Sequence, residues 1–205
     1  MSLVHSAENT ASEYLDLPLG EFLERVASEE PAPGGGSVSA VAVALAAGLA
    51  GMAARLSTDQ MDEAPELAGR ADASRRRVAP LAKADAESYG RVLDALRSQG
   101  DPDAREERIR DALSGAAEVP LAVAEIGSEV AGIAARLVEE GNPNLEGDAM
   151  TAVLLADAGV RAAAALAEIN LSAAKVRDDR LERASKLVDA SAATVRRATG
   201  GEGRG

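Results

Sequence analysis

The sequence has no cysteine, no tryptophan and only one histidine, His5. Without cysteine the chain cannot form a disulfide, use a thiol nucleophile or hold zinc through thiolates. With one histidine, a single chain cannot build a histidine-based catalytic triad or a multi-histidine metal site. Acid–base chemistry therefore falls to Asp, Glu, Lys or Tyr. We expect no metal and no permanently bound cofactor.

Aromatic residues are almost absent, since Tyr14, Phe22 and Tyr89 are the full set. Alanine dominates, and residues that favour strands are sparse outside helical patterns, so helix is the default prediction. Helices that meet through Ala, Val, Leu and Gly can approach one another closely. The chain of 205 residues is long enough for one domain with a substantial core. We predict an all-α, single-domain helical bundle.

About six helices are predicted from apolar spacing and from proline and glycine signals, several of them long and bent at proline. They are a short helix after Pro18, a small-residue helix from Val38 to about Ser57, a long helix over 65–99 bent at Pro80, a helix over 102–140 interrupted near Pro120, a long helix over 145–176, and a last helix with Leu181, Val188 and Val195 on one side. We expect a flexible N-terminus over 1–15, the domain over 16–199 and a disordered tail over 200–205.

The net charge of −12 argues against nonspecific nucleic-acid binding, which requires Lys and Arg to displace counterions. Residues 1–16 lack the basic start and apolar run of a secretory signal. Residues 38–54 carry no charge, but the stretch is short and rich in Ala and Gly, which favours a buried core helix over a membrane span. We expect a cytoplasmic protein that binds neither nucleic acid nor membrane.

Residues 31–37 read Pro-Ala-Pro-Gly-Gly-Gly-Ser and lead directly into the small-residue helix. Glycines free the backbone to bend, and the start of a helix presents unpaired N–H groups with a partial positive charge. This combination suits an anionic or carbonyl-bearing ligand, although no Lys follows the glycines as in a nucleotide P-loop. The alternative is a glycine turn between two packed helices, with Ser37 as an ordinary N-cap.

Asp85 interrupts an apolar stripe of the long third helix, because the positions around it recur every three or four residues. A carboxylate that faces a core is costly unless it is paired, and burial raises its pKa into a range useful for acid–base catalysis. Tyr89 follows one turn later on the same face. The alternative is a structural Asp paired with an Arg of a neighbouring helix, or an Asp at the margin of the stripe. The stripe is Val78, Leu81, Asp85, Tyr89, Val92 and Leu96.

Other polar residues in apolar surroundings have structural explanations of similar weight. Asp148 in the first turns of its helix suits the helix dipole as well as catalysis. Asp157 has an arginine four residues on and can pair with it locally. Asn142 and Asn144 are typical turn residues, whereas Asn170 requires hydrogen-bond partners if it is buried. The run Arg75–Arg77 cannot lie on one face, so most of it is predicted to be solvated.

The chain resembles the cyclodeaminase/cyclohydrolase family, which comprises the C-terminal half of formiminotransferase-cyclodeaminase and stand-alone bacterial relatives. The order and spacing of five segments carry the resemblance over roughly residues 15–190. They are Pro31-Ala-Pro-Gly-Gly-Gly-Ser37 with its helix, Asp85 to Tyr89, Ala117-Glu-Val-Pro-Leu121, Gly141-Asn-Pro-Asn144 with Asp148, and Ile169-Asn-Leu171. One departure is Gly147, where the family pattern leads us to expect Ser.

The resemblance implies an all-helical homodimer that binds a tetrahydrofolate derivative in a cleft near the glycine loop. It implies that Asp85 is the catalytic residue. Asp148 is our next candidate for that role. The matched segments supply the candidate ligand-binding residues Pro33, Gly34, Gly35, Gly36, Ser37, Tyr89, Asn142, Asn144 and Asn170.

Two reactions are compatible with the resemblance. A cyclodeaminase converts 5-formiminotetrahydrofolate to the 5,10-methenyl compound with release of ammonia, and a cyclohydrolase adds water to the methenyl compound to give the 10-formyl form. We prefer the cyclodeaminase, which could work with a separate formiminotransferase. A non-catalytic folate-binding helical dimer and a purely structural dimer are the alternatives from other classes.

Overall fold

The computed structural model describes residues 14–200. His5 and nearly all of the predicted flexible N-terminus and disordered tail lie outside these residues. Tyr14 is an exception, because it begins a short 3₁₀ helix, Tyr14–Asp16, and is buried in the core. The folded domain therefore begins at least two residues before position 16.

All regular secondary structure among the described residues is helical, with no strand among them. Six helical segments correspond to the six predicted helices. Breaks at Pro80 and near Pro120 divide two of these segments, which gives eight α-helices. The helices are α1 (Leu19–Val26), α2 (Gly35–Arg55), α3 (Ala64–Val78), α4 (Leu81–Arg97), α5 (Pro102–Gly115), α6 (Glu118–Glu140), α7 (Glu146–Ala173) and α8 (Asp179–Ala198), with a second 3₁₀ helix at Pro143–Leu145.

Both proline-bent segments are divided into two helices. At the first division, Ala79 and Pro80 keep helical dihedral angles, but Pro80 has no N–H to donate, so the hydrogen-bond ladder stops there. The second division falls at Ala116 and Ala117, three residues before Pro120, which is accommodated in the first turn of α6. The prediction of an interruption near Pro120 is confirmed, and the break itself precedes the proline.

Helices α2, α6 and α7 form the centre of the bundle, and small residues let them pack closely. A Cβ added at Gly159 of α7 would lie 2.4 Å from Cγ2 of Val43 on α2. A Cβ added at Gly127 of α6 would lie 2.7 Å from Cγ2 of Val160. Real Cβ atoms do not tolerate such contacts, so these two glycines permit the observed approach of the helices.

Helix α2 begins three residues earlier than its predicted start at Val38. Gly34 is the N-cap, and Gly35 and Gly36 form the first turn. The glycine run is therefore half loop and half helix. This matters because the glycines bring backbone atoms of the first turn close to α4.

Helices α2 and α7 are long and apolar enough to cross a membrane by length and composition alone. In the bundle, 61% of the most apolar window of α2 and 44% of that of α7 are buried against other helices. Core helices of a folded domain meet the same criterion of length and hydropathy, so the measure does not separate the two cases.

Candidate functional site

The start of α2 presents backbone N–H groups without a side-chain cap. Gly34 has an extended conformation (φ −108°, ψ −161°) and no side chain to accept from the first turn. The first backbone hydrogen bond of the helix runs from the N–H of Val38 to the carbonyl of Gly34, at 3.0 Å. The N–H groups before it point out of the helix, and the helix dipole adds partial positive charge there.

The carboxyl group of Asp85, on α4, lies against this first turn. A Cβ added at Gly36 would lie 2.0 Å from Oδ1 of Asp85 and 2.3 Å from its Cγ. The hydroxyl of Ser37 donates to the carbonyl of Ala82 at 2.7 Å and lies 3.4 Å from Oδ2 of Asp85. Ser37 thus links α2 to α4 and orients the carboxyl group. It is not the N-cap suggested by its residue type, because Gly34 holds that position.

Burial raises the pKa of Asp85 above the ordinary value for an aspartic acid, and hydrogen bonds from the backbone and hydroxyl of Ser37 oppose the shift. Among residues 14–200, no Arg or Lys forms an ion pair with Asp85. The described residues therefore do not support the alternative that Asp85 is a structural aspartate paired with an arginine. A half-buried carboxyl group with a raised pKa can exchange protons near neutral pH more readily than a surface aspartate.

Tyr14 belongs to the surroundings of Asp85 and was missed by sequence reasoning. Its ring packs edge-to-face on Phe22, with ring centroids 5.9 Å apart. Burial raises the pKa of the Tyr14 hydroxyl, and the nearby Asp85 carboxylate raises it further, whereas Arg25 lowers it. The rarity of aromatic residues in this chain marks Tyr14 as a residue of interest. Its position in the fold could not be predicted, because a single 3₁₀ turn has no hydrophobic periodicity.

A cavity of about 310 Å³ opens beside Tyr14 at the start of α4. This volume is at the lower end of the range for small-ligand pockets. Its wall includes Ala82, whose carbonyl accepts from Ser37, so the cavity lies within one helical turn of the Asp85 carboxyl group. The lining residues are Tyr14, Leu15, Asp16, Ala79, Pro80, Ala82 and Lys83.

Two other predicted ligand-binding residues lie at this end of the bundle. Pro33 is buried in front of α2 and follows a cis peptide bond with Ala32. Tyr89 is one turn beyond Asp85 on α4 and is 45% exposed, so its ring offers a flat apolar surface. Asp85, Pro33 and the residues 34–37 are therefore brought together at the start of α2, and Tyr89 follows one turn later along α4.

Asn170 lies on the C-terminal half of α7, which packs along the start of α2. A Cβ added at Gly35 would lie 3.6 Å from Cδ1 of Leu166, one turn before Asn170. The side-chain amide of Asn170 donates to the carbonyl of Ala116 at 2.9 Å, so it helps to end α5. Asn170 thus has a structural hydrogen bond at the same end of the molecule as Asp85.

Asn142, Asn144 and Asp148 lie at the opposite end of α2. The backbone N–H of Asn142 donates to Oγ of Ser57 at 2.9 Å, and its side-chain amide donates to the carbonyl of Leu56, also at 2.9 Å. The Oδ1 atom of Asn142 accepts from the N–H of Asn144. These bonds assign Asn142 a turn-forming role, and the whole group is not joined to Asp85 within one chain.

Other polar residues weighed from the sequence are structural or solvated. Asp157 accepts from Nε of Arg161 and from Oγ of Ser191, each at 2.8 Å, which confirms the local pairing and adds a link to α8. The three residues Arg75–Arg77 are exposed, as predicted. Residues 14–200 contain no group of three or more acidic or His/Cys side chains positioned to hold a metal ion.

The fold and this site define a class of protein: an all-helical bundle with a half-buried carboxyl group at a glycine-rich helix start. A family model for formiminotransferase-cyclodeaminase matches residues 18–188. The methenyltetrahydrofolate cyclohydrolase of Methylorubrum extorquens is 33% identical over 169 residues, which cover 78% of this chain and 80% of that protein. This chain belongs to the formiminotransferase-cyclodeaminase family.

Two further comparisons agree with this membership. The formimidoyltransferase-cyclodeaminase of Rattus norvegicus is 30% identical over 161 residues, 71% of this chain but only 29% of that longer protein. The crystal structure of formiminotetrahydrofolate cyclodeaminase from Thermotoga maritima is 29% identical, with a TM-score of 0.79 over 92% of this chain and 98% of that chain. The predicted family and the all-α fold are confirmed.

Proposed function

We propose that this protein is a folate one-carbon enzyme, a formiminotetrahydrofolate cyclodeaminase, with Asp85 as its acid–base catalyst. The observation that carries the proposal is the placement of the Asp85 carboxyl group, half-buried against Gly36 and held by Ser37. The cyclodeaminase named above covers nearly the whole of this fold and supports the choice of reaction.

The reaction requires one group that can give and take a proton. N10 of 5-formiminotetrahydrofolate attacks the formimino carbon, so that a new C–N bond forms and the C=N double bond becomes a single bond. The proton lost by N10 is transferred to the imine nitrogen, which becomes an amine on a tetrahedral carbon. Protonation of that amine lets it leave as ammonia while the 5,10-methenyl cation forms. Asp85 in its protonated form supplies this proton, and the raised pKa increases the protonated fraction at a given pH.

The first turn of α2 has a separate role in this scheme. The N–H groups of Gly35 and Gly36 bind a carbonyl or carboxylate of the folate, because they precede the first hydrogen bond of the helix and carry partial positive charge. The backbone N–H of Ser37 donates to Asp85 instead. The ring of Tyr89 stacks on the pteridine or benzoyl ring. No metal or redox group takes part in the proposed steps.

The second candidate reaction is the hydrolysis of 5,10-methenyltetrahydrofolate to the 10-formyl form. The cyclohydrolase at 33% identity favours it. In this reaction Asp85 is ionised at the start and takes a proton from the water that attacks the bridging carbon. The same pocket holds the methenyl compound as the product of one reaction and the substrate of the other.

The proposal also includes the setting of the enzyme. It acts in the cytoplasm as a homodimer, without a resident cofactor, and receives its substrate from a separate formiminotransferase if it is a cyclodeaminase. The uncharged, partly exposed surface of α2 supports the dimer, since burying such a surface against a second copy is favourable.

Two assays run side by side test the proposal. One measures ammonia released from 5-formiminotetrahydrofolate, and the other follows the absorbance of the methenyl compound during hydrolysis. The matched variants are Asp85→Asn and Glu66→Gln, the latter at an exposed carboxylate on α3. The proposal requires ammonia release that Asp85→Asn lowers about a hundredfold or more and that Glu66→Gln leaves unchanged. Binding of folates without turnover in either assay would instead identify a non-catalytic binding protein.

A further inference from the structure

Tyr14 is a buried polar side chain beside the site that the proposed reaction does not use. It is 6% exposed and belongs to the same apolar cluster as Phe22 and Ala82. Its ring meets the ring of Phe22 edge-to-face, with an angle of 63° between the two planes. Close packing of this kind fixes the ring, so the fold determines where the hydroxyl group lies.

The hydroxyl of Tyr14 makes no hydrogen bond to another side chain or backbone group among residues 14–200. A buried tyrosine normally finds such a partner. The Tyr14 oxygen is also not one of the fully enclosed polar atoms that lack a partner in this part of the chain. It therefore contacts open space, and Tyr14 lines the cavity of about 310 Å³ at the start of α4. The hydroxyl is available as a donor in that cavity.

The cavity has the size and the polar surroundings that water requires. One molecule of liquid water occupies about 30 Å³, and an ordered water needs about two to four polar partners. A volume of about 310 Å³ accommodates several water molecules. The lining residues include Asp16 and Lys83, which are both charged, in addition to Tyr14. Water here can carry a hydrogen-bond interaction from Tyr14 to neighbouring polar groups.

Ala82 connects the cavity to Asp85. It lines the cavity and lies three residues before Asp85 on α4, within one helical turn. The hydroxyl of Ser37 donates to the carbonyl of Ala82 at 2.7 Å and lies 3.4 Å from Oδ2 of Asp85. One turn of α4 thus carries both a wall of the cavity and the carboxyl group.

The charge on Asp85 acts on the Tyr14 hydroxyl. Burial raises the pKa of this hydroxyl. The guanidinium of Arg25 lowers the pKa, and the carboxylates of Asp85 and Glu30 raise it. Coulomb interactions weaken with distance, so these charges are close to the hydroxyl. With a pKa above the ordinary value of 10.0, Tyr14 is a neutral donor over the pH range in which Asp85 titrates.

The cations around the cavity have carboxylate partners of their own. Arg25 donates to Oε1 of Glu21 at 2.7 Å, and Nζ of Lys83 lies 3.9 Å from Oε1 of Glu87. Among the described residues neither cation forms an ion pair with Asp85. The carboxyl group is therefore not held in its ionised form by a neighbouring positive side chain.

Neutral groups determine the protonation of Asp85 instead. Burial raises the pKa of Asp85, and the backbone and hydroxyl of Ser37 lower it. Helices α2, α3, α5 and α6 pack against α4, and none of their charged residues contributes to this shift. A hydrogen-bond donor without charge is therefore the kind of group that adjusts the protonation of this carboxyl group.

We propose that Tyr14 is a positioning residue for the proton transfer at Asp85, and that its neutral hydroxyl, acting through water in the cavity, stabilises the ionised carboxylate. Tyr14 thereby sets the balance between the two candidate reactions. This consequence rests on the proposed function, whereas the interaction between Tyr14 and Asp85 can be measured without folate.

The two candidate reactions respond in opposite directions to such a donor. A hydrogen bond to the carboxylate favours the ionised form and lowers the pKa of Asp85. Ammonia release requires Asp85 to be protonated, and hydrolysis requires it to be ionised. Tyr14→Phe removes the hydroxyl and keeps the ring against Phe22. The variant should therefore have a larger protonated fraction of Asp85, which favours ammonia release over hydrolysis.

Profiles of kcat/KM against pH test this consequence, because they report the ionisation of the free enzyme. In Tyr14→Phe we expect the midpoint of either profile to move upward by about one pH unit, the scale of a hydrogen bond to a charged group. Above the midpoint ammonia release should then rise by up to about tenfold, and below it hydrolysis should fall by a similar factor. The control is Glu24→Gln, an exposed carboxylate on α1, which should leave the midpoints unchanged.

A titration without folate tests the interaction itself. The chain has two tyrosines and no tryptophan, so Tyr89→Phe leaves Tyr14 as the single tyrosine. Carbon-13 at Cζ of tyrosine then gives one NMR signal. Its chemical shift should change as Asp85 ionises, above the pH range in which a surface aspartate titrates. Asp85→Asn in the same background should abolish that change.

The possible failures are distinguishable. Rates that both fall in Tyr14→Phe while the midpoints stay in place would show a structural role and would overturn the inference. An NMR signal with the same pH dependence with and without Asp85→Asn would overturn the interaction. If the wild type neither releases ammonia nor hydrolyses the methenyl compound, the proposed function fails, and the NMR titration decides the interaction by itself.

Discussion

The backbone of Gly36 lies against the carboxyl group of Asp85 so closely that a methyl group at Gly36 would be 2.0 Å from Oδ1. At Gly35 a methyl group would make only an ordinary contact, 3.6 Å from Cδ1 of Leu166. The two adjacent glycines therefore have different constraints. Gly36 sets the position of the catalytic candidate, whereas Gly35 lies beside α7.

The first prediction compares Gly36→Ala with Gly35→Ala. Both positions are helical, so alanine is compatible with the backbone at each. The added methyl group at Gly36 must displace Asp85, and we expect a loss of about 1–3 kcal/mol in unfolding free energy from overpacking. Displacement of a catalytic group by about 1 Å can reduce turnover about a hundredfold. Gly35→Ala should change turnover and stability little. The measurements are kcat and the unfolding free energy from chemical denaturation. Equal effects of the two variants would contradict the proposed contact between Gly36 and Asp85.

The second prediction concerns Asp85→Asn, which preserves the size of the side chain and removes its acid–base function. We expect turnover to fall about a hundredfold or more, the scale for a general acid or base. Folate binding should persist, which thermal shift with tetrahydrofolates measures separately from turnover. Turnover within a few-fold of the wild type would assign the proton transfer to another group, with Asp148 next.

The third prediction concerns stability and pH. The folded-state pKa of Asp85 is raised by burial, so its stabilising contribution is present below the ordinary value of 3.8 and is lost as the pH rises through the raised pKa. Asp85→Asn removes this term. The midpoint of thermal unfolding of the variant relative to the wild type should therefore rise as the pH increases from about 4 and then level off. If the unfolding midpoint of the variant relative to the wild type instead falls as the pH rises, the pKa of Asp85 is lowered in the folded state. The hydrogen bonds from Ser37 and the charge at the helix start would then outweigh burial.

The fourth prediction separates a structural role from ligand binding at the turn over residues 141–144. Oγ of Ser57 is buried, donates to the carbonyl of Ala53 and accepts from the N–H of Asn142 at 2.9 Å. Ser57→Ala leaves that N–H without its partner and should lower the unfolding free energy by about 1–3 kcal/mol. The control is Thr194→Ala, an exposed hydroxyl bonded only to a carbonyl of its own helix. If chemical denaturation shows equal, small losses of unfolding free energy for both variants, the hydrogen bond between Ser57 and Asn142 does not stabilise the turn.

Local pattern was sufficient to predict most helices and to select Asp85. A carboxylate in an apolar stripe is visible from spacing alone, because the face of a helix is determined by its period. The end of α5 was less visible, since Gly115, Ala116 and Ala117 do not stop a helix strongly. The structure shows tertiary causes there: Asn170 donates to the carbonyl of Ala116, and Arg180 donates to that of Ser114.

The partition of the site could not be predicted from pattern at all. The motif segments that carry the family resemblance follow one another in sequence, but α2 and α7 are antiparallel and their ends are far apart. Only the register between Gly159 and Val43 reveals that Asp148 and Asp85 lie at opposite ends. Gly36 and Gly35 are likewise indistinguishable in sequence, because their difference arises from the neighbouring helices.

The last prediction distinguishes the two reactions by their pH dependence. Ammonia release requires Asp85 to be protonated at the start, so its rate should fall as the pH rises through the pKa of Asp85 in the complex. Hydrolysis of the methenyl compound requires the ionised carboxylate, so its rate should rise over the same range. Because burial raises this pKa, both changes should occur above the pH at which a surface aspartate titrates. Both rates are measured on the same protein as a function of pH, and the rate of the Asp85→Asn variant is subtracted as the background. If the rate of methenyl hydrolysis rises with pH and no ammonia is released at any pH, the protein is a cyclohydrolase and the cyclodeaminase assignment is wrong.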